Sequence, residues 1–371
     1  MRIAIASDIG IGSHRAHAIN VVKTAGGFAR LGHDVVVLLR ASDEGVTIDD
    51  AVLMYGEPSL EWRLAGAAAS SGDVRDRQFG AWAVSEACEF GADVLYARHF
   101  RAAIAGAATG LPTVLETHAY IGDTNPVLDE ALKATHTSLA GVATISRRLR
   151  DHYVRRGAEA SRVHVVPDGV DLDLFTRPDD PGDDPMAGYP RPRALYAGHL
   201  YDYKGVPTLI DAAGLMDDVG VHLLGGSDED IERVRREAGD RVHVHGRVAH
   251  AEVARWLWHA DVLVLPPSAR EPSCAWTSPV KLGEYLAGGT PIVASDIPAL
   301  RDWIEEAGVV EWFEPDDGAS LAAAIRRALE GRCRQERRAR AHALASRFSY
   351  ANRAAALLAM ALRGTLTGSA R

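Results

Sequence analysis

Short apolar runs alternate along this chain with longer stretches whose apolar positions recur at helical spacing. In the first half the runs are Arg2–Ala6, Asp34–Leu39, Ala51–Met54, Asp93–Tyr96, Thr113–Glu116, Val142–Ile145 and Val163–Val166. Their nearly continuous Val, Ile and Leu content predicts strands buried on both faces, as in a parallel sheet covered by helices. Ala16–Leu31 and Phe79–Phe90 carry helical periodicity between them. This βαβ rhythm predicts a doubly wound α/β domain. The rhythm stops at Thr176–Arg193, where proline, glycine and aspartate crowd together and exclude a helix or a central strand. It restarts with Ala194–Ala197, Val221–Leu224, Val242–His245, Val262–Leu265 and Pro291–Ala294. Two such domains are therefore expected, residues 1–172 and 173–350. An Ala/Leu-rich final helix, Ala351–Leu362, is expected to cross back, adding 351–371 to the first domain.

A length of 371 residues agrees with two cores rather than one. A formal net charge of −9 argues against a dedicated nucleic-acid binder. Cys88, Cys274 and Cys333 are widely spaced and form no CxxC pair, so neither a disulfide framework nor a zinc knuckle is expected, and a reducing cytoplasm is the simplest home. The first strand runs straight into Ser7-Asp8, with no secretory leader pattern. No stretch approaches the ~20 apolar residues that span a bilayer.

In open parallel sheets, ligands gather where strand ends lead into helix N-termini. The first strand leads into Gly10-Ile11-Gly12, followed by His14 and Arg15; the third glycine of a dinucleotide fingerprint is missing, and a plain turn is the alternative. In the second half, Gly198-His199 follows a strand and Lys204 opens a helix. A cation at a helix start suits a diphosphate, although a surface lysine is the plain alternative. Further on, Thr277-Ser278-Pro279 sets a helix start, with Lys281 and Glu284 one turn apart on that helix. There a carboxylate can accept two ribose hydroxyls while Lys281 addresses phosphate; an exposed Lys281–Glu284 ion pair is the alternative.

Taken in order, Gly32-His33-Asp34-Val35, Thr144-Ile145-Ser146, Val165–Phe175, Gly198–Ile210 and Ser278–Ser295 resemble the family-four retaining glycosyltransferases. The resemblance spans residues 1 to about 350. It implies the GT-B fold: two Rossmann-like domains facing across a cleft, the acceptor held mainly by the first and a nucleotide diphosphate sugar by the second. Lys204 would bind the donor diphosphate, together with His199, where the family commonly has arginine. Glu284 matches the second glutamate of the family's Glu-x7-Glu motif and would hold the ribose. Trp276 stands where the first glutamate should be; Glu271 is nearby but out of register, so sugar recognition is expected from Glu271, Trp276, Thr277 and the adjoining backbone. Thr117-His118 matches the family's histidine beside the reacting sugar. Gly10 and Gly12 match the loop near the donor phosphate, and Arg98, His14 and Arg15 are candidate acceptor contacts.

The implied reaction moves a hexose-type sugar, with a UDP- or GDP-sugar favoured as donor, to a glycan, lipid or small-molecule hydroxyl. No cofactor is implied. No DxD-like triplet stands at a strand end, so metal independence is expected, and Asp168-Gly169-Val170-Asp171 reads as a turn at the hinge. A nucleotide-sugar epimerase and a non-catalytic nucleotide-sugar or glycan binder are the competing readings. Two basic stretches, Arg147–Arg162 and Arg326–Arg340, are either solvated helix faces or a weak peripheral contact with anionic lipid.

Overall fold

The computed structural model describes residues 1–42, 44–66, 71–118, 125–278, 280–304, 308–330 and 334–366. Its contacts divide the chain into two units, Met1–Gly169 with Ser349–Arg371, and Val170–Phe348.

The first unit holds β1 (Arg2–Gly10), β2 (Asp34–Arg40), β3 (Glu61–Ala65), β4 (Val94–Ala97), β5 (Thr113–Thr117), β6 (Gly141–Thr144) and β7 (Val163–Val165). They form one parallel sheet in the order β3-β2-β1-β4-β5-β6-β7. The order reverses direction at β1 and β4, which puts the ends of β1, β4 and β5 at a topological switch point. Ile3, Ile5, Val37 and Tyr96 pack beneath helix Ala16–Arg30, which in turn meets the C-terminal helix Tyr350–Leu366 through Ala354, Leu357 and Met360.

The second unit holds β8 (Arg193–Ala197), β9 (Gly220–Leu224), β10 (Val242–Gly246), β11 (Val262–Leu265), β12 (Ile292–Ser295) and β13 (Val310–Phe313). These too are parallel, in the order β10-β9-β8-β11-β12-β13. The Pro/Gly/Asp segment ahead of β8 has no regular helix or strand from 177 to 192, and it is pinned to its own unit. Arg193, 1% exposed, donates to Asp184 Oδ2 at 2.6 Å. The Tyr189 ring lies 5.0, 4.5 and 5.4 Å from the rings of His222, His243 and His245 on neighbouring β9 and β10. His222 Nδ1 and His245 Nε2 share a hydrogen bond of 2.9 Å.

Several expectations need correction. Ala51–Met54 is not a strand but lies in helix Ile48–Tyr55. Thr47 and Asp50 make a reciprocal capping box there, and Gly56 ends the helix in the left-handed region. The strand in that part of the chain is β3, and β13 is likewise absent from the sequence reading. Both sit at sheet edges, and the alternating Glu61-Trp62-Arg63-Leu64 and the mixed Val310-Glu311-Trp312-Phe313 lack the unbroken apolar run of a central strand. β1 also continues past Ala6 to Gly10, through an irregularity in its pairing with β2.

Candidate active site

In the second unit the expected donor residues are drawn together by one side chain that the sequence reading passed over. Tyr285 is fully buried, and its hydroxyl accepts the Ala197 N–H at the end of β8 (3.1 Å). This bond fixes helix Val280–Gly288 against the strand end and lays Lys281 over Gly198. Gly198 has φ of +155°, and a Cβ there would stand 2.4 Å from the Lys281 Cε. A side chain there would push the end of Lys281 aside and crowd the Tyr196 hydroxyl, 2.8 Å from the same point. Pro279 lies outside the described residues, and Ser278 is buried at the start of the helix.

Lys204 closes a short 3-10 turn, Asp202–Lys204. The next residue, Gly205, has φ of +82° and presses so near the β11 loop that a Cβ would fall 1.7 Å from Pro266 O. The same approach lets Ser268 N donate to Tyr203 O (3.0 Å). Lys204 is thereby held at the N-terminus of helix Val206–Ala213, with its ammonium 5.0 Å from the Tyr203 ring centroid.

The charges of this region act on one another. Burial and then the like charge of Lys281 pull Lys204 below the ordinary lysine value, with Glu271 opposing. Burial, then Lys281, Lys204 and Arg247, pull His199 below its ordinary value. Neither lysine forms a salt bridge among the described residues. The alternative of a Lys281–Glu284 pair is not realised either, and half-buried Glu284 has no hydrogen-bond or ion-pair partner there. Basic groups that repel one another, with no acid ion-paired to either lysine among the described residues, form a site suited to an anion. Arg247, after β10, is a further cation that the sequence reading missed.

Glu271 precedes a 3-10 turn, Pro272–Ala275, and Trp276 and Thr277 follow it; both of their amides donate to Ser273 O. All three side chains are partly exposed. Glu271 is tied to the lysines only through its electrostatic effect on Lys204.

The first unit brings Arg98 and His118 together at the ends of β4 and β5. Arg98 Nη2 donates to His118 Nδ1 (2.9 Å), and His118 Nε2–H donates to Glu116. Glu116, 2% exposed, also accepts from Tyr96 and from Arg353 of the C-terminal helix. Burial pushes the Glu116 carboxyl up, but Arg353 and His118 outweigh it and hold the carboxyl below its usual range. Burial pulls Arg98 down to about 10, against Asp168 and with Arg353. Asp168 is therefore not a residue of a plain turn: it is 5% exposed and stands 3.7 Å from His118. Glu116, Asp168 and Arg353 were missed. A glutamate inside the apolar run Thr-Val-Leu-Glu was the available signal for the first, whereas Arg353 carries none. His14 and Arg15 are exposed just before helix Ala16–Arg30, and Arg15 caps it without a side-chain bond. Gly10 closes β1 and Gly12 lies in the turn that follows.

Two clusters, Glu116–His118–Asp168 and Asp8–Asp76–His99, hold possible metal-ligand atoms within 4.8 Å of one another. Their hydrogen bonds do not fit an imidazole-bound ion. His118 Nδ1 faces a guanidinium, which only donates, and His99 Nδ1 accepts the Ala102 N–H (3.2 Å). In each neutral ring the proton is thus on Nε2, the atom turned toward the carboxylates, and no lone pair is offered there.

Two parallel-sheet Rossmann-like units with functional groups at their strand ends define a GT-B protein. Residues 19–174 match the model of Glycosyltransferase Family 4, and residues 191–331 match that of Glycosyl transferases group 1. The chain belongs to the family-four glycosyltransferases. It is 33% identical over 251 residues to D-inositol 3-phosphate glycosyltransferase of Xylanimonas cellulosilytica, a match covering 62% of this chain and 58% of that protein. It is 32% identical over 210 residues to phosphatidyl-myo-inositol mannosyltransferase of Mycobacterium leprae, covering 54% of this chain and 52% of the relative. The chain thus spans between half and three-fifths of these relatives. The crystal structure of Anabaena HepE in complex with UDP superposes with a TM-score of 0.72 over 100% of both chains at 17% identity, a likeness of fold.

Proposed function

We propose that the protein transfers a hexose-type sugar from a nucleotide diphosphate sugar to an acceptor hydroxyl with retention at the anomeric carbon. The observation that carries this reading is the convergence of Lys204, Lys281 and His199 on a volume cleared by Gly198 and lacking any ion-paired acid. Glu284, unpaired one turn beyond Lys281, takes the ribose. As the bond from the sugar to the diphosphate breaks, the lysines and the start of helix Val206–Ala213 stabilise the departing charge. The acceptor oxygen bonds to the same face of the sugar, and its proton passes to the leaving phosphate oxygen. This needs neither a carboxylate nucleophile nor a metal. His118 holds Arg98 and Glu116 in place, and a sugar hydroxyl reaching it displaces one of those partners. An inositol phosphate or an inositol phospholipid is the acceptor class proposed, because both relatives are named for acceptors of that kind. The cytoplasm, where nucleotide sugars are the substrates at hand, is the proposed setting.

Thermal unfolding with UDP, GDP, ADP and dTDP, free and sugar-linked, identifies the donor as the ligand that raises the midpoint. Incubation of that donor with D-inositol 3-phosphate or with phosphatidylinositol should then yield a glycoside of unchanged anomeric configuration, in chelator as well as in magnesium. Lys204→Ala should lower kcat/KM about 10²–10³-fold with the unliganded midpoint unchanged. Donor converted without acceptor into another nucleotide sugar would instead make the protein an epimerase. Full activity in Lys204→Ala would remove the proposed site.

A further inference from the structure

The first unit carries a cavity of about 480 Å³ between helix Arg147–Arg155 and the edge strand β7. Its lining includes Arg147, Arg150, Asp151, Ser161 and His164, none of which takes part in the clusters described above. We propose that this cavity binds a small phosphorylated group, presented either by a soluble phosphomonoester or by a phospholipid headgroup.

Three observations carry the assignment. The first is charge. Arg147 and Arg150 line the cavity with one carboxylate, Asp151, and around it Arg162 and Arg363 act on His164 while Glu159 accepts from Ser161, so guanidinium groups outnumber carboxylates there. This occurs on a chain whose formal net charge is −9, so the cluster is a local reversal of sign. Burial, then Arg363 and Arg150, pull His164 below its ordinary value.

The second is geometry. Arg150 donates through Nε to Val163 O (3.2 Å) and through Nη1 to Asp151 (3.1 Å). Those two bonds fix its plane against β7, while its Nη2 has no acceptor among the described residues. A guanidinium held by its backbone side and open on the other is preorganised for the oxygens of a phosphate. Ser161 Oγ, at present donating to Glu159 (3.1 Å), adds a hydroxyl at the rim.

The third is size. A volume near 480 Å³ suits a headgroup-sized ligand rather than a polymer track.

The test uses the full chain and sn-glycerol 3-phosphate as the soluble probe, titrated calorimetrically, with flotation on phosphatidylcholine vesicles with and without phosphatidic acid. Wild-type protein should bind the probe, Arg147→Glu should weaken binding tenfold or more, and Asp151→Asn should tighten it severalfold by releasing Arg150. A double Arg338→Glu, Arg340→Glu variant should bind as wild type does. The gain in Asp151→Asn keeps the test decisive even if Arg147→Glu folds poorly, because misfolding does not tighten binding. Binding of the free probe together with phosphatidic-acid vesicles assigns a lipid headgroup, and binding of the probe alone assigns a soluble ligand. No binding in either arm, or equal binding by wild type and Asp151→Asn, overturns the proposal.

Discussion

Arg353 and Glu116 are 237 positions apart and share the most enclosed ion pair of the first unit, each with a side chain 1% exposed. Arg353 also donates to Thr24 Oγ1 (3.2 Å) and Val166 O (2.7 Å), so one guanidinium is spread over a helix, a strand end and a loop. Breaking such a pair from one side leaves a charge without a partner in a medium that solvates it poorly. Arg353→Met should therefore cost roughly 3–5 kcal/mol in urea unfolding. Adding Glu116→Gln should restore part of that loss, because the stranded charge is removed. If the single variant unfolds at the wild-type midpoint, the pair is not holding the unit together. The legibility of single residues follows the same distinction. Lys204, Lys281 and Glu284 were readable because each stands in a short local pattern tied to a strand end. Arg353 sits among alanines and leucines, its partner lies far off in sequence, and only the fold brings the two together. Tyr285 was hidden differently: next to Glu284 it reads as one more apolar residue of a helix, whereas its hydroxyl sets where Lys281 stands.

Among the elements, strands with an apolar run were legible even at the sheet edges, as β7 and β10 were, whereas the mixed edge strands β3 and β13 were not. β1, β2, β5 and β11 are runs of apolar residues with no competing signal, while β3 and β13 mix exposed and buried positions. Helix Ile48–Tyr55 was misread because its apolar stretch Ala51–Met54 is short, and periodicity cannot separate short apolar runs; the Thr47–Asp50 capping box was the better signal. The C-terminal helix behaves as part of the first core rather than as a tail. Ala354, Leu357, Met360 and Ala361 are each 2% exposed or less and belong to the same apolar cluster as Ile3 and Val37. A chain ending at Phe348 should consequently lose the unfolding transition of the first unit at a lower urea concentration, while the second unit's transition stays in place. Fluorescence from Trp62 and Trp82 against that from Trp256 and Trp258, in single-site tryptophan variants, separates the two. Coincident loss of both transitions would show that the helix serves more than its own unit.

For the molecule as a whole, acidity bears on both units, since burial also pulls His99 and His164 of the first below their ordinary value, but the lowest histidines stand in the second. Burial, then His245 and His243, hold His222 down to about 3, and burial, then His243, hold His245 down to about 4. Both rings are neutral in the folded state at a pH where the unfolded chain, with histidines near 6.5, already takes up protons. The unfolded state thus binds more protons as pH falls below 6.5, and stability is lost progressively toward pH 4. The second unit should show a falling denaturation midpoint across that window, and His222→Phe with His245→Gln should flatten the slope. An unchanged slope would mean that the histidines under Tyr189 do not set the acid response. The division of the chain has one more outcome, for how the protein comes into being. A ribosome emits every residue of the second unit before it emits Arg353, so the earlier-made sheet waits with Glu116 short of its guanidinium partner while the second unit is already complete. The half of the polypeptide translated first is completed last, and during that interval its unfinished surface is what chaperones would meet.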